Sequence, residues 1–302
     1  MNVIEVHNLS KKYGDLTAVD NFTFHAGKGE LLALVGPDGA GKTTIFRILC
    51  NLLDYESGDI TIGGYRHDAD FDKIKDILGY MPQQFSLYPD LSVEENLSFY
   101  AGLFGLGRAQ FNRKKEALYK FSGLEPFAGR RASALSGGMK QKLALSCNLI
   151  HDPEILLLDE PTTGVDPLSR RQFWDILKNL KESGSSIVVS TPYMDEVALA
   201  DRAIFIYQGR KLTEGTPAQL IDRFEGNVYR ADYFPSAERM RQLNGIDGLG
   251  SRRFGSTIHL YTTADRDIKT YHDQLSSFEI APDMIERIDP DLEDVFIQQM
   301  GQ

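Results

Sequence analysis

Residues 31–49 read L-L-A-L-V-G-P-D-G-A-G-K-T-T-I-F-R-I-L. An apolar run of strand character gives way to a glycine-rich turn, and the turn leads into a helical stretch. Gly36, Gly39 and Gly41 let backbone N–H groups close around phosphate oxygens. A helix N-terminus behind the turn adds the positive end of its dipole. The segment 36–44 matches G-x-x-x-x-G-K-[ST]. It predicts a phosphate-binding set of Gly36, Pro37, Asp38, Gly39, Ala40, Gly41, Lys42, Thr43 and Thr44, with Lys42 on the β- and γ-phosphates and the Thr43 hydroxyl on Mg²⁺.

Outward from this loop, apolar strand candidates at 31–36, 155–158, 186–190 and 203–207 alternate with helical stretches near 42–53, 167–183 and 194–200. Strands separated by helices predict an α/β fold with a mainly parallel sheet covered on both faces. The stretches V-E-E-N-L-S-F-Y-A-G-L-F and R-K-K-E-A-L-Y-K-F predict a helical insertion at about 90–150. Near 216–228 the pattern changes to short strands and helices. A nucleotide-binding domain at 1–222 and a small α+β domain at 223–302 are expected, the latter with a β-α-β-β-α-β order that suits a ferredoxin-like arrangement.

A phosphate loop needs a metal ligand and a base. The run I-L-L-L-D-E at 155–160 places two acids at the C-terminal end of a buried strand, where open α/β sheets bind ligands. Asp159 is expected to hold Mg²⁺ and Glu160 to accept a proton from the attacking water, a role that contributes about 10²–10⁴-fold. The run L-S-G-G-M-K-Q at 135–141 opens another helix with a serine and two glycines, a second anion site built from a hydroxyl, exposed N–H groups and a helix dipole.

Phosphate loop, acid pair and L-S-G-G-M together resemble the ATP-binding cassette (ABC) family, a P-loop NTPase fold, over roughly residues 3–220. The resemblance implies several further roles. Gln83, in G-Y-M-P-Q-Q-F-S, matches the glutamine that senses Mg²⁺ and the attacking water. Asp166, in G-V-D-P, matches the loop that crosses the dimer interface. Tyr13, in K-K-Y-G-D, stands where the family stacks an aromatic on adenine. Ser136, Gly137 and Gly138 match the signature that closes on ATP bound to the opposite cassette. The ending P-D-L-E-D-V-F-I resembles bacterial exporter ATPases of the multidrug-efflux type that carry a C-terminal extension. The resemblance therefore implies an ATPase subunit that dimerises, borrows its membrane-spanning permease and sits on the inner face of the cell membrane.

Two positions depart from the family pattern. The strand at 187–191 is usually followed by a histidine that donates to the γ-phosphate; here the residue is Pro192. Asp38 stands where Asn or Ser is usual. Both imply slow hydrolysis with ATP binding retained. Two other readings stay open: a slow or non-hydrolysing ATP-gated regulatory cassette, and a soluble ABC ATPase unconnected with transport.

Composition narrows the classes. With 33 basic and 43 acidic residues, a net charge of −10 argues against nucleic acid as the main partner. The start M-N-V-I-E-V-H-N-L-S lacks the pattern of a signal peptide, and no apolar run is long enough to span a bilayer. Cys50 and Cys147 lie in apolar patterns and are expected to be reduced core thiols.

Overall fold

In the computed structural model residues 1–300 are described, and the chain divides into two compact units, Met1–Pro217 and the stretch from Ala218 onward. The first unit opens with β1 (Asn2–Tyr13), β2 (Leu16–Gly27), β3 (Leu31–Val35) and α1 (Lys42–Leu49). There follow β4 (Ser57–Ile62), β5 (Tyr65–Arg66), α2 (Phe71–Ile77) and β6 (Leu78–Met81). Three helices, α3 (Val93–Leu103), α4 (Arg108–Ser122) and α5 (Gly137–Asn148), make up the helical stretch. The chain then alternates through β7 (Ile155–Asp159), α6 (Pro167–Glu182), β8 (Ser186–Thr191), α7 (Met194–Val197), β9 (Arg202–Tyr207) and β10 (Arg210–Gly215).

Strands β6, β7, β8, β3 and β9 run parallel in one sheet, with β10 added antiparallel at its edge. Alternate residues face opposite sides, so both faces must be covered. Leu32, Leu34, Ile155, Leu157, Ile204 and Ile206 share one core with Ile45, Phe46, Ile48 and Leu49 of α1. Leu156, Leu158, Ile187, Val189 and Phe205, the intervening residues, are also buried. Each such side chain contributes about 1.5–3 kcal/mol when taken out of water.

The sequence pattern left one layer unanticipated. A second sheet, β2-β1-β4-β5, is wholly antiparallel and packs on the far side of α1. Its strands escape a period-two reading because the β1–β2 register shifts at several points, with Asn8 and Asn21 in left-handed backbone. Boundaries differ too. The helix expected over 42–53 ends at Leu49, because Asn51 turns left-handed at φ 53°. The one expected over 194–200 is the single turn of α7. Strand β7 extends one residue further than expected and takes in Asp159. Cys50 and Cys147 are free and buried, and burial pushes both thiols well above their ordinary range.

After α8 (Pro217–Ile221) come β11 (Asn227–Ala231), α9 (Ala237–Leu243), β12 (Leu249–Phe254), β13 (Thr257–Thr262), α10 (His272–Ser276), β14 (Ile285–Ile288) and α11 (Leu292–Met300). The four strands pair antiparallel in the order β12-β13-β11-β14. Tyr229, Leu243, Leu260, Tyr271 and Leu275 form a core of their own. Helix α11 is held by the fully buried Asp294, whose Oδ1 accepts from Tyr261 Oη at 2.8 Å and lies 2.8 Å from His259 Nδ1. Among the described residues, no helix is long and apolar enough to cross a membrane.

Candidate nucleotide-binding site

The loop between β3 and α1 wraps tightly because nothing larger than glycine fits at two of its positions. A Cβ on Gly36 would lie 2.2 Å from the carbonyl of Ile206, and one on Gly41 would lie 2.5 Å from that of Ala18. Gly41 also holds φ 107°, which an L side chain rarely adopts. The loop is thus fenced by the end of β9 on one side and by β2 on the other. The Gly36 N–H donates to the Thr191 carbonyl at 3.4 Å, which ties the loop to the end of β8.

Lys42 is the first residue of α1 and only 3% exposed. Its Nζ donates to the carbonyls of Gly36 at 2.7 Å and Pro37 at 3.0 Å. It also lies 3.0 Å from Glu160 Oε1. Glu160, itself buried, accepts at Oε2 from Gln83 Nε2 at 2.9 Å and from Thr163 Oγ1 at 3.2 Å. Its backbone is left-handed, φ 46°, and its N–H donates to Ser190 Oγ at 2.9 Å. A non-glycine residue in that region is strained by roughly 1–3 kcal/mol and persists only where its surroundings hold it.

Asp159 is fully buried. Oδ1 accepts from Ser190 Oγ at 2.7 Å, while Oδ2 has no hydrogen-bond partner within the chain. Burial raises its carboxyl above the ordinary range; the Ser190 and Thr43 hydroxyls beside it pull the other way. An orphan carboxylate oxygen next to a threonine hydroxyl, below a phosphate loop, suits a hard cation that takes oxygen ligands. Among the described residues no cluster of three or more His, Cys, Asp or Glu stands ready to hold a metal alone. The donor set therefore fits an ion that arrives with phosphate and keeps few protein ligands, as Mg²⁺ does.

A cavity of about 330 Å³ opens above these groups, lined by Tyr13, Leu16, Ala18, the loop from Asp38 to Thr44, Gln83 and Glu160. Tyr13 stands at the rim, 45% exposed, with Lys11 Nζ 5.6 Å from its ring centroid. Asp38 points to the same opening and is exposed.

The remaining predicted residues do not line this cavity. Ser136 caps α5 by accepting from Met139 N at 3.4 Å, and Asp166 caps α6 by accepting from Ser169 N at 2.9 Å. Hydrogen bonding from the Ser169 hydroxyl, and then from its N–H, holds the Asp166 carboxyl below its ordinary range. Gly138 joins the two: a Cβ there would lie 2.7 Å from the Ser169 side chain. Ser136, Gly137 and Asp166 are exposed.

The Ser190 and Thr163 hydroxyls escaped sequence reasoning, and so did the pairing of Thr162 and Thr191 with Glu196. Thr191 Oγ1 and Thr162 Oγ1 both donate to the buried carboxylate of Glu196, at 2.5 and 2.7 Å. The segment M-D-E-V carries no signal for this, since an acid in a short polar helix reads as solvent-facing. The contact also settles what stands beside Pro192. The Thr191 hydroxyl is committed to Glu196, and the Tyr193 ring lies 4.1 Å beneath the Arg170 guanidinium.

The sequence profile of the family described as ABC transporter matches residues 19–163. Nod factor export ATP-binding protein I of Rhizobium etli is 34% identical, over 100% of this chain and 94% of that protein. The chain belongs to the ABC transporter family. A second ABC relative, the probable multidrug ABC transporter ATP-binding protein YbhF of Escherichia coli, is 45% identical over 219 residues, 72% of this chain. The chain spans 38% of the length of that relative. The ABC fold is equally plain among solved structures. A dimeric cassette in a post-hydrolysis state bound to ADP and Pi matches with a TM-score of 0.63 and 28% identity, over 70% of this chain and 98% of that one.

Proposed function

We propose that this ABC cassette binds ATP with Mg²⁺, hydrolyses it to ADP and phosphate, and drives export through separate membrane subunits, on whose cytoplasmic side it sits. Two relatives bear names that refer to multidrug transport and Nod factor export, which favours the exporter class. Residues 1–222 would act as the cassette and 223–302 as a ferredoxin-like appendage to it.

The observation that carries the reading is the bonding of Lys42. A buried ammonium held by two carbonyls and one carboxylate is a cation kept ready for a stronger anion. When phosphate enters the loop, Lys42 exchanges those partners for phosphate oxygens, and Glu160 Oε1 is released. Glu160, still braced through Oε2 by Gln83 and Thr163, is then free to take a proton from water attacking the γ-phosphorus. The loop N–H groups and the α1 dipole spread the charge that develops on the transferred phosphoryl group. Magnesium would be held by Thr43, Gln83 and the open oxygen of Asp159, and would neutralise phosphate charge. Ser136, Gly137, Gly138 and Asp166 lie outside the cavity in one chain, so they would complete the site of a second copy facing it.

Steady-state ATPase assays on the parent and Glu160→Gln test this. The parent should hydrolyse ATP; the variant should keep ATP affinity, lose about 10²–10⁴-fold in turnover, and run as an ATP-bound dimer on size exclusion. Equal hydrolysis by both would remove Glu160 from the base role.

A second reading, a slow cassette that gates its partner by binding ATP, is favoured by the end of β8. Pro192 offers no donor, the Thr191 hydroxyl is committed to Glu196, and the Tyr193 ring lies against Arg170.

A further inference from the structure

We infer that Glu196 is a positioning residue of the hydrolytic site, holding the Glu160 loop in register from behind. The inference rests on the hydrolysis reading above. Glu196 lies on α7, outside the cavity, and is 1% exposed. A carboxylate at that depth is costly unless every lone pair is used. Its two oxygens take different segments: Oε2 accepts from Thr191 Oγ1 at the end of β8, and Oε1 from Thr162 Oγ1 in the loop after β7. Arg170 Nε, on α6, lies 3.7 Å from Oε1 without hydrogen bonding it, and supplies opposite charge. The Thr191 hydroxyl also accepts from Tyr193 N at 3.0 Å, which fixes the direction of its proton toward Glu196.

The loop from Asp159 to Thr163 is therefore held at both ends by neighbouring residues of one strand. Ser190 takes the near end through Asp159 Oδ1 and Glu160 N. Thr191 takes the far end, but only through Glu196. Between these anchors Glu160 sits in its left-handed conformation, and Thr163, next to the anchored Thr162, donates to Glu160 Oε2. Consecutive threonines thus point to two different acids, Thr162 to the positioning one and Thr163 to the base. Without Glu196 the far anchor is gone, and the strained turn can relax and carry the Glu160 carboxylate with it. Displacement of a reacting group by about 1 Å can cost on the order of 10²-fold in rate. ATP binding uses the loop at 36–44 and should be spared.

The test compares kcat, ATP KM, ATP affinity and melting temperature for the full chain carrying Glu196→Ala, Glu196→Gln, Thr162→Val, and Thr162→Val with Glu196→Ala. Glu196→Ala should lower kcat by about 10–10²-fold at nearly constant KM. Glu196→Gln, whose amide accepts from one threonine and donates to the other, should restore most of kcat. Thr162→Val should cost kcat alone and add nothing in the Glu196→Ala background. Should Glu196→Ala fail to fold, Thr162→Val decides, since it removes one hydroxyl at constant shape. An unchanged kcat in Thr162→Val, or losses that multiply in the double variant, overturns the inference. Glu160→Gln run in parallel separates the two levels. If it hydrolyses like the parent, the hydrolysis reading fails. If it is dead while Thr162→Val matches the parent, only the role of Glu196 fails.

Discussion

The loop at 36–44 and the patch formed by Ser136, Gly138 and Asp166 are built alike, on helix N-termini with glycines and hydroxyls, yet they are finished differently. Around Lys42 the charges are closed off within the chain: two carbonyls, Glu160, Gln83 and Thr163 share the partners out. At the patch, Ser136 and Asp166 satisfy only their own helix ends and otherwise face solvent. The first arrangement lets the chain fold around an ammonium buried to 3% exposure without ATP present. The second caps Met139 N and Ser169 N with exposed side chains and buries no charge, which suits the proposal that it meets a phosphate brought by another surface. On the function proposed above, half of an ATP site is preassembled and the other half is merely displayed.

The sharpest way to break this contrast is to remove Lys42. Lys42→Ala should weaken ATP binding by about 10–10²-fold, the worth of one or two bonds from a charged donor, with the domain still folded. Normal affinity measured by titration with a fluorescent nucleotide would mean the loop is not the site. Substitution on the displayed side should behave otherwise. Gly138→Ala drives a methyl into Ser169 and should cost about 1–3 kcal/mol of stability, as overpacking does, read as a lower melting temperature. Ser136→Ala should cost about 0.5–2 kcal/mol through its lost cap and leave ATP binding by an isolated chain unchanged. Weakened binding in Ser136→Ala would show that the two sides share one site within a single chain.

Pro192→His should have the smallest effect, raising kcat by roughly 2–10-fold, the net worth of one hydrogen bond. The gain should vanish in a Glu160→Gln background. A neutral Pro192→His would mean that a donor at position 192 adds nothing to the chemistry.

The phosphate loop could be read from the sequence because everything it needs is consecutive: β3, glycines and α1 occupy nineteen successive positions, 31–49. The acid pair was equally visible at the end of an unbroken apolar run. What stayed hidden depends on partners far along the chain. The walls that exclude a side chain from Gly36 and Gly41 are the carbonyls of Ile206 and Ala18, which no local pattern connects to the loop. The antiparallel sheet pairs β1 with β4 across the whole of α1, through strands whose bulges break the alternation. Glu196 was hidden for a third reason. Its burial depends on two threonines and an arginine supplied by three separate segments.

The two buried thiols have a practical consequence. Cys50 and Cys147 are 8% and 0% exposed, and burial keeps both as thiols rather than thiolates, the form that reacts with alkylating reagents. The folded protein therefore offers a quiet background for site-directed labelling. A cysteine introduced at an exposed position away from the proposed site, such as Gln110 on α4, should take up a maleimide dye or nitroxide spin label ahead of the native pair. Distances between such labels would then report directly on whether, and how far, two copies approach when ATP is added.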